Sequence, residues 1–493
     1  MTDLQQALYR VDAVRRIEAQ AMVLPGHDAA SLMQRAGAAA FAFLRTRWPR
    51  ARRIAVVCGG GNNGGDGYVL ATLARAAGLA VDLIQIGAAP TRSPAAQVVE
   101  RWHAAGGVSR AGEALAALAE ADVVVDALFG IGLDRAPQGT MHEAIEAMNR
   151  CGRALFALDL PSGLDADTGH APGACVRATS TLSFIAWKRG LWTGVAAAVC
   201  GERQLALLDL PESAFAGIAH DARLLAPPAL SQALPPRPRD AHKGQTGYVL
   251  VVGGDFGLGG AVLIAGMAAA RAGAGLVGVA TRPEHVAAAL ARQPELMVRG
   301  VVTANDLDAA IDRADVIALG PGLGQSDWSQ TLAQRACASA KPMVLDADAL
   351  NLLAAGRIAP RGDCILTPHP GEAARLLGTD VATIARDRFA AVRALSGRDR
   401  TVAVLKGAGS LVADGDGEVT VCPFGNPGMA SGGMGDALTG IVAAFWAQGL
   451  SAIEAARIGV LAHALAGDRA ARAGERGLLA SDLIAELRSV LNP

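Results

Sequence analysis

Two sets of glycine- and carboxylate-bearing strings in this sequence could do chemistry on an anion. The first set begins with Gly59-Gly60-Gly61-Asn62-Asn63-Gly64-Gly65-Asp66-Gly67, which follows the apolar run Ile54–Cys58 and precedes a helical stretch, Tyr68–Ala77. A glycine turn leading into a helix aims backbone N–H groups at an anion, and the helix dipole favours phosphate there. Gly59, Gly61 and Gly64 satisfy Gly-x-Gly-x-x-Gly. An ordinary dinucleotide dehydrogenase would also need an acidic residue closing the next strand, which here ends Gln85-Ile86-Gly87-Ala88. No Gly-Lys-Ser/Thr follows, so this is not a Walker loop either. Two further runs carry oxygen-bearing residues at or just past their ends: Val123–Asp126 before Leu128-Phe129-Gly130, and Leu155–Leu160, with Asp159, before Pro161-Ser162-Gly163-Leu164-Asp165. Open parallel sheets bind ligands outside the carboxyl ends of their strands, so Asn63, Asp126, Asp159 and Ser162 are expected to face one crevice. Oxygen donors of mixed charge suit a hard cation, a monovalent one as readily as magnesium.

The second set lies in the other half of the chain. Tyr248–Val252 leads to Gly253-Gly254-Asp255 and Gly257-Leu258-Gly259-Gly260-Ala261; Gly320-Pro321-Gly322-Leu323-Gly324, Leu345-Asp346-Ala347-Asp348, Thr367-Pro368-His369-Pro370-Gly371-Glu372 and Leu405-Lys406-Gly407-Ala408-Gly409-Ser410 follow later runs. The sharpest string is Asn426-Pro427-Gly428-Met429-Ala430-Ser431-Gly432-Gly433-Met434-Gly435-Asp436, ahead of an apolar helix beginning at Ala437. Stacked glycines before a helix N-terminus make an anion hole for a transferring phosphoryl group. Asp436, at the end of that string, suits removal of a proton from a substrate hydroxyl.

These strings need strand ends to carry them, and the sequence supplies the pattern. Short β-branched runs alternate with glycine-rich turns and Ala/Leu-rich helical stretches, which predicts parallel sheets covered by helices. In the first half the runs are 54–58, 81–86, 123–126, 155–160, 179–184 and 203–208; in the second, 248–252, 276–280, 316–319, 342–345, 364–366 and 402–405, with a hairpin over 411–413 and 419–422 and three helices from Asp436 to Leu491. The pattern lapses from about Pro211 to Arg239, where prolines cluster, and this divides the chain into α/β domains over 1–220 and 224–493. Lys+Arg of 45 against Asp+Glu of 46 argues against a basic nucleic-acid binder. The apolar runs Ala261–Ala280 and Ala437–Ile453 read as buried helices; one carries Arg271 and the other is too short for a membrane span. Seven scattered cysteines without a Cys-x-x-Cys pair fit neither a disulfide framework nor a zinc ribbon and fit a reducing cytoplasm. Met1–Glu18 is charged throughout and lacks an apolar signal segment. A homo-oligomer without a membrane or nucleic-acid partner is expected.

The first set of strings resembles the NAD(P)H-hydrate epimerase domain, as do Glu18-Ala19-Gln20-Ala21 and Leu32-Met33-Gln34-Arg35-Ala36-Gly37. The resemblance implies a Rossmann-like three-layer sandwich in which Asn62, Asn63, Gly64, Gly65 and Asp66, with Gly130, Ile131, Gly132, Leu133, Asp134, Arg135 and Ala136, hold the hydrated dinucleotide. It implies that Asp159 contacts substrate, and that Asn63, Asp126 and Ser162 bind potassium. Asp159 is also the candidate acid/base. The string departs from the usual form at Ile131, where Thr is common, and at Trp187-Lys188-Arg189-Gly190, where Lys-Pro-Gly is common. The second set is similar to ribokinase-like kinases and, in detail, to the ADP-dependent (S)-NAD(P)H-hydrate dehydratase domain. That implies a ribokinase-like α/β domain with Lys406, Gly407, Ala408, Gly409, Ser410 and Gly435 on the nucleotide, and Ala261, Gly324, His369 and Asp436 facing the hydrate. ADP would be the co-substrate, with Mg2+ offsetting phosphate charge. A vitamin-precursor kinase fused to a nucleotide-binding module, and a non-catalytic dinucleotide sensor, remain as alternatives.

Overall fold

The computed structural model describes residues 3–133, 135–397 and 400–492. The chain divides into two compact units, Met1–Arg223 and Leu224–Pro493.

The first unit is built on seven parallel strands: β1 (Arg53–Cys58), β2 (Ala80–Gln85), β3 (Ser109–Arg110), β4 (Val123–Ala127), β5 (Ala154–Leu158), β6 (Ser180–Phe184) and β7 (Glu202–Ala206). Their order is 3-2-1-4-5-6-7. Both faces of the central strands are covered, which is why they read as unbroken apolar runs. Along β1, Ile54 and Val56 enter one core cluster while Ala55 and Val57 enter the other, as a period of two requires. The order reverses between β1 and β4, and that switch point opens a crevice at the strands' carboxyl ends.

Three helices frame the crevice: α1 (Val11–Met22), α2 (Ala29–Arg47) and α3 (Asn62–Ala76). The expected loop over Gly59–Gly67 is shorter than its composition suggested, because α3 begins at Asn62. Its glycines make close packing possible: a Cβ on Gly64 would stand 2.0 Å from the Gly59 carbonyl oxygen, and one on Gly67 would stand 2.7 Å from the Ala127 Cβ. β5 also stops earlier than expected, at Leu158, since Asp159 turns into the left-handed region with φ 64°.

The second unit has strands β8 (Tyr248–Val252), β9 (Leu276–Thr281), β10 (Met297–Gly300), β11 (Val316–Leu319), β12 (Met343–Leu345), β13 (Cys364–Leu366), β14 (Thr401–Leu405), β15 (Ser410–Ala413) and β16 (Val419–Cys422). They run in the order 10-9-8-11-12-13-14-15-16. Pairing is parallel as far as β14, and the β15–β16 hairpin is antiparallel. The helices that matter here are α4 (Gly259–Arg271), α5 (Pro370–Leu377), α6 (Met434–Ala447), α7 (Ala452–Ala470) and α8 (Ala480–Leu491). The three tail helices are those the sequence predicts, with α6 starting at Met434 instead of Ala437.

Neither long apolar run is a single helix. Ala261–Ala280 divides into α4 and β9, and Ala437–Ile453 crosses from α6 into α7, because glycines break each run at 273, 275 and 449. Within the proline-rich stretch a short helix, Pro228–Ala233, forms with proline in its first turn, where no backbone N–H is needed. No helix among the described residues is long and apolar enough to cross a membrane.

Candidate functional site

In the first unit a cavity of about 420 Å³ opens at the switch point. Asn62, Asn63, Asp66, Gly130, Ile131, Gly132 and Asp159 all line it. Gly64 and Gly65 do not; they are buried inside α3 and set its seat. Leu133, Arg135 and Ala136 continue the loop away from the cavity wall, and Asp134 lies outside the described residues.

Asn63, Asp126 and Ser162 come together behind that wall. Asp126 is fully buried and accepts hydrogen bonds from the Ser162 hydroxyl at 2.6 Å, the Ser162 amide at 2.8 Å and the Leu128 amide at 3.2 Å. Burial nevertheless pushes its pKa up to about 6. Asn63 donates to the Phe129 carbonyl at 2.9 Å, while its side-chain oxygen is buried without a hydrogen-bond partner. A buried carboxylate beside an orphaned oxygen is a set that a cation would satisfy.

Asp159 has a partner that the sequence reading did not assign. The Lys188 ammonium, also buried, donates to its Oδ1, to the Ser183 hydroxyl at 3.1 Å and to the Phe184 carbonyl at 2.8 Å. The Phe184 amide adds a bond to the same carboxylate oxygen at 3.1 Å. The contacts to the carboxylate converge on Oδ1 and make a charge-assisted cluster behind it. Asp159, the expected acid/base, thus lines the cavity as one member of a buried ion pair. The substitution noted in the Lys188 string falls on Arg189, which pairs with Asp221 at 2.6 Å. Two other carboxyls line the cavity: Glu18 from α1 and Asp66 from α3. Burial, and then the neighbouring carboxylates, push Asp66 well above the usual range; burial likewise raises Glu18, with Lys188 opposing it.

Strained backbone marks this site. Asp159, Ile185 and Leu208 all line the cavity, and all are non-glycine residues with positive φ, at 64°, 68° and 56°. Such conformations cost roughly 1–3 kcal/mol each and persist where surrounding packing enforces them.

In the second unit the strand ends converge on Lys406. Its ammonium lies 2.7 Å from Asp346 Oδ1 and 3.9 Å from Glu372. Thr439 on α6 donates to the other Asp346 oxygen at 2.9 Å. Burial would raise the Asp346 pKa, but Lys406 and these hydrogen bonds hold it below the usual carboxylate value. Asp346 and Asp348 flank Ala347, whose backbone is forced to φ 49° and ψ −118°. Gly435 admits the lysine: a Cβ there would stand 3.3 Å from its Nζ. Asp436, one residue on, is pushed up to about 7 by burial and by the ionised Asp346, with Lys406 opposing.

The remaining expected residues gather at the same edge. The Gly324 amide donates to Asp348 at 2.8 Å, and Ala261 abuts Gly322 from the first turn of α4. Gly407, Ala408 and Gly409 form an exposed turn after β14, tied by the Ser410 hydroxyl to the Gly407 carbonyl at 2.9 Å. His369 has a structural duty: its Nδ1 caps α5 through the Gly371 amide at 3.0 Å, and its other nitrogen is 3.4 Å from Glu372. Burial, with Lys406 and Arg375 nearby, lowers its pKa, so the ring is neutral at pH 7.

Lys406 was among the expected nucleotide-binding residues, and one sequence signal could also have found Lys188. The chain has 45 basic residues, yet its lysines are only Lys188, Lys243, Lys341 and Lys406. Where arginine is the default, a lysine marks a position suited to a compact point charge.

A family model described as NAD(P)H-hydrate dehydratase matches residues 249–489, and one described as YjeF-related protein N-terminus matches residues 29–190. The chain is 48% identical to the bifunctional NAD(P)H-hydrate repair enzyme of Coxiella burnetii over 99% of both chains. It is 44% identical to that of Escherichia coli, over 99% of this chain and 95% of the other. Among solved structures, a ribokinase-like superfamily protein of Enterococcus faecalis aligns with TM-score 0.51 and 30% identity, covering 55% of this chain and 95% of that one.

Proposed function

This chain belongs to the bifunctional NAD(P)H-hydrate repair enzymes, and from that premise we propose how its two units divide the repair. The first unit exchanges the R and S epimers of hydrated NAD(P)H. The second, of ribokinase-like fold, removes water from the S hydrate at the expense of ADP.

The observation that carries the reading of the second unit is Asp436. It heads a buried helix and its pKa is raised to about 7, beside an Asp346 held ionised by Lys406. Environments that drive two carboxyls apart define a base and a spectator. In this reading Asp436 takes the proton of the C6 hydroxyl, and the oxygen attacks the β-phosphorus of ADP, breaking its bond to the bridging oxygen and releasing AMP. The lone pair of the ring nitrogen then expels phosphate, and loss of a C5 proton restores the dihydronicotinamide. The glycines before α6 would meet the transferring group with backbone N–H groups. Among the described residues no cluster of three or more His, Cys, Asp or Glu could hold a metal. Mg2+ therefore fits here as a cation carried mainly by the nucleotide's phosphates.

Potassium fits the first unit better. The orphaned Asn63 oxygen, the buried Asp126 carboxylate and the Ser162 hydroxyl are the donors that would hold it. When bound it would supply a fixed positive charge behind the cavity wall. The free, mostly buried cysteines support a reducing compartment such as the cytoplasm.

Incubation with mixed NADH-hydrate epimers tests both halves through recovery of near-ultraviolet absorbance. Complete recovery with ADP is expected. Recovery that stops at the S fraction would remove the epimerase half, and none with ADP or ATP would remove the dehydratase half.

A further inference from the structure

We infer that Glu18 and Asp66 are the acid–base pair that epimerises the hydrate in the first unit, with Asp159, paired with Lys188, as the fixed charge of the site. This rests on the reading of that unit as an epimerase.

The chemistry sets the requirement. The carbon to be inverted carries both the hydroxyl and the ring nitrogen. A proton delivered to the hydroxyl lets the C6–O bond break; water leaves, and the nitrogen lone pair forms a planar iminium. Water then adds to the opposite face, gives up a proton, and the lone pair returns to nitrogen. One proton is given and one is taken, solvent water is the only co-reactant, and nothing is oxidised or reduced. The site thus needs two proton carriers reaching the ring separately, and a lasting negative charge near the cation.

The cavity holds such a set. Asp159 is tied through Oδ1 to Lys188, the Phe184 amide and the Ser183 hydroxyl, and so stands as the partner of a buried cation. Glu18 and Asp66 line the same cavity, and neither makes a hydrogen bond or ion pair among the described residues. They arrive on different helices, α1 and α3. Both are half-buried at the cavity wall, and burial raises the pKa of each, which brings them towards the range in which a carboxyl can exchange a proton. Glu18 belongs to a string for which the dinucleotide-binding reading gave no duty.

The test uses the full-length protein with purified R or S hydrate, following epimer exchange by chiral chromatography. Dehydration of the S hydrate is measured on the same preparations as a fold control. Glu18→Gln and Asp66→Asn should each slow exchange about 100-fold, mainly in kcat, while dehydration stays at the wild-type rate. Glu18→Asp should recover part of the loss. In 18O-water the wild type should place label in the C6 hydroxyl in step with exchange, beyond the enzyme-free rate. Exchange within threefold of wild type in either glutamine or asparagine variant would overturn the pair, and unlabelled epimer product would overturn the elimination route. A wild-type protein that dehydrates but does not exchange epimers would instead overturn the epimerase reading itself.

Discussion

Both units set one carboxylate at a strand end against a lysine and leave a nearby carboxyl unpaired, but they differ in how many they leave. In the first, Asp159 is locked to Lys188, and Glu18 and Asp66 make no hydrogen bond or ion pair among the described residues. In the second, Asp346 is locked to Lys406; Glu372, raised by burial, accepts from the His369 amide, and Asp436 is raised with no hydrogen-bond partner among the described residues. The difference follows the chemistry proposed for each. Epimerisation ends where it began and needs a proton carrier in each direction; phosphoryl transfer is driven one way by ADP and needs one base. The lysine pair is the shared device: it fixes one charge so that its neighbours can titrate.

The largest expected effect separates the units outright. Asp436→Ala should lower ADP-dependent dehydration about 1,000-fold and leave epimer exchange unchanged. Equal loss of both would show that the carboxyls are not assigned to separate reactions. Lys188→Met comes next. It strands Asp159 in a buried site and should destabilise the first unit by about 3–5 kcal/mol, read from urea unfolding by tryptophan fluorescence. Adding Asp159→Asn should restore most of that loss, and no restoration would mean the pair is not the source.

A smaller effect comes from pH. A base must be deprotonated to act, so dehydration should be at full rate above about pH 8, fall through the Asp436 value of about 7, and be about tenfold lower at pH 6. A flat profile across this range would place the base elsewhere. The smallest effect concerns the cation. Potassium in place of tetramethylammonium should stabilise the first unit by on the order of 1 kcal/mol or more and leave the second untouched. Equal stabilisation of both units would argue against a site at Asn63.

The strands were legible wherever they are buried on both sides: β8, β11, β13 and β16 have the bounds that their apolar runs predict. The edge strands β3 and β10 were not, because Ser109–Arg110 and the half-exposed Met297–Gly300 need little apolar sequence. The meeting of Asn63, Asp126 and Ser162 could be read because each sits at the end of a recognisable strand. The Asp159–Lys188 pair could not. Lys188 comes from a two-residue strand 29 positions on, and the carboxylate is turned towards it by a left-handed φ that its residue type does not announce. Glu18 was hidden for a similar reason: it reaches the cavity from a helix that precedes the whole sheet.

The setting of Asp436 has one more consequence. Ten of the fourteen residues of α6 are buried, and the helix forms part of the second unit's principal core with α4 and α7. A carboxyl on such an element has no local route to disorder. The amides of α6 should resist hydrogen exchange until the unit opens as a whole, and dehydration should survive heating up to that point and fail together with the fold.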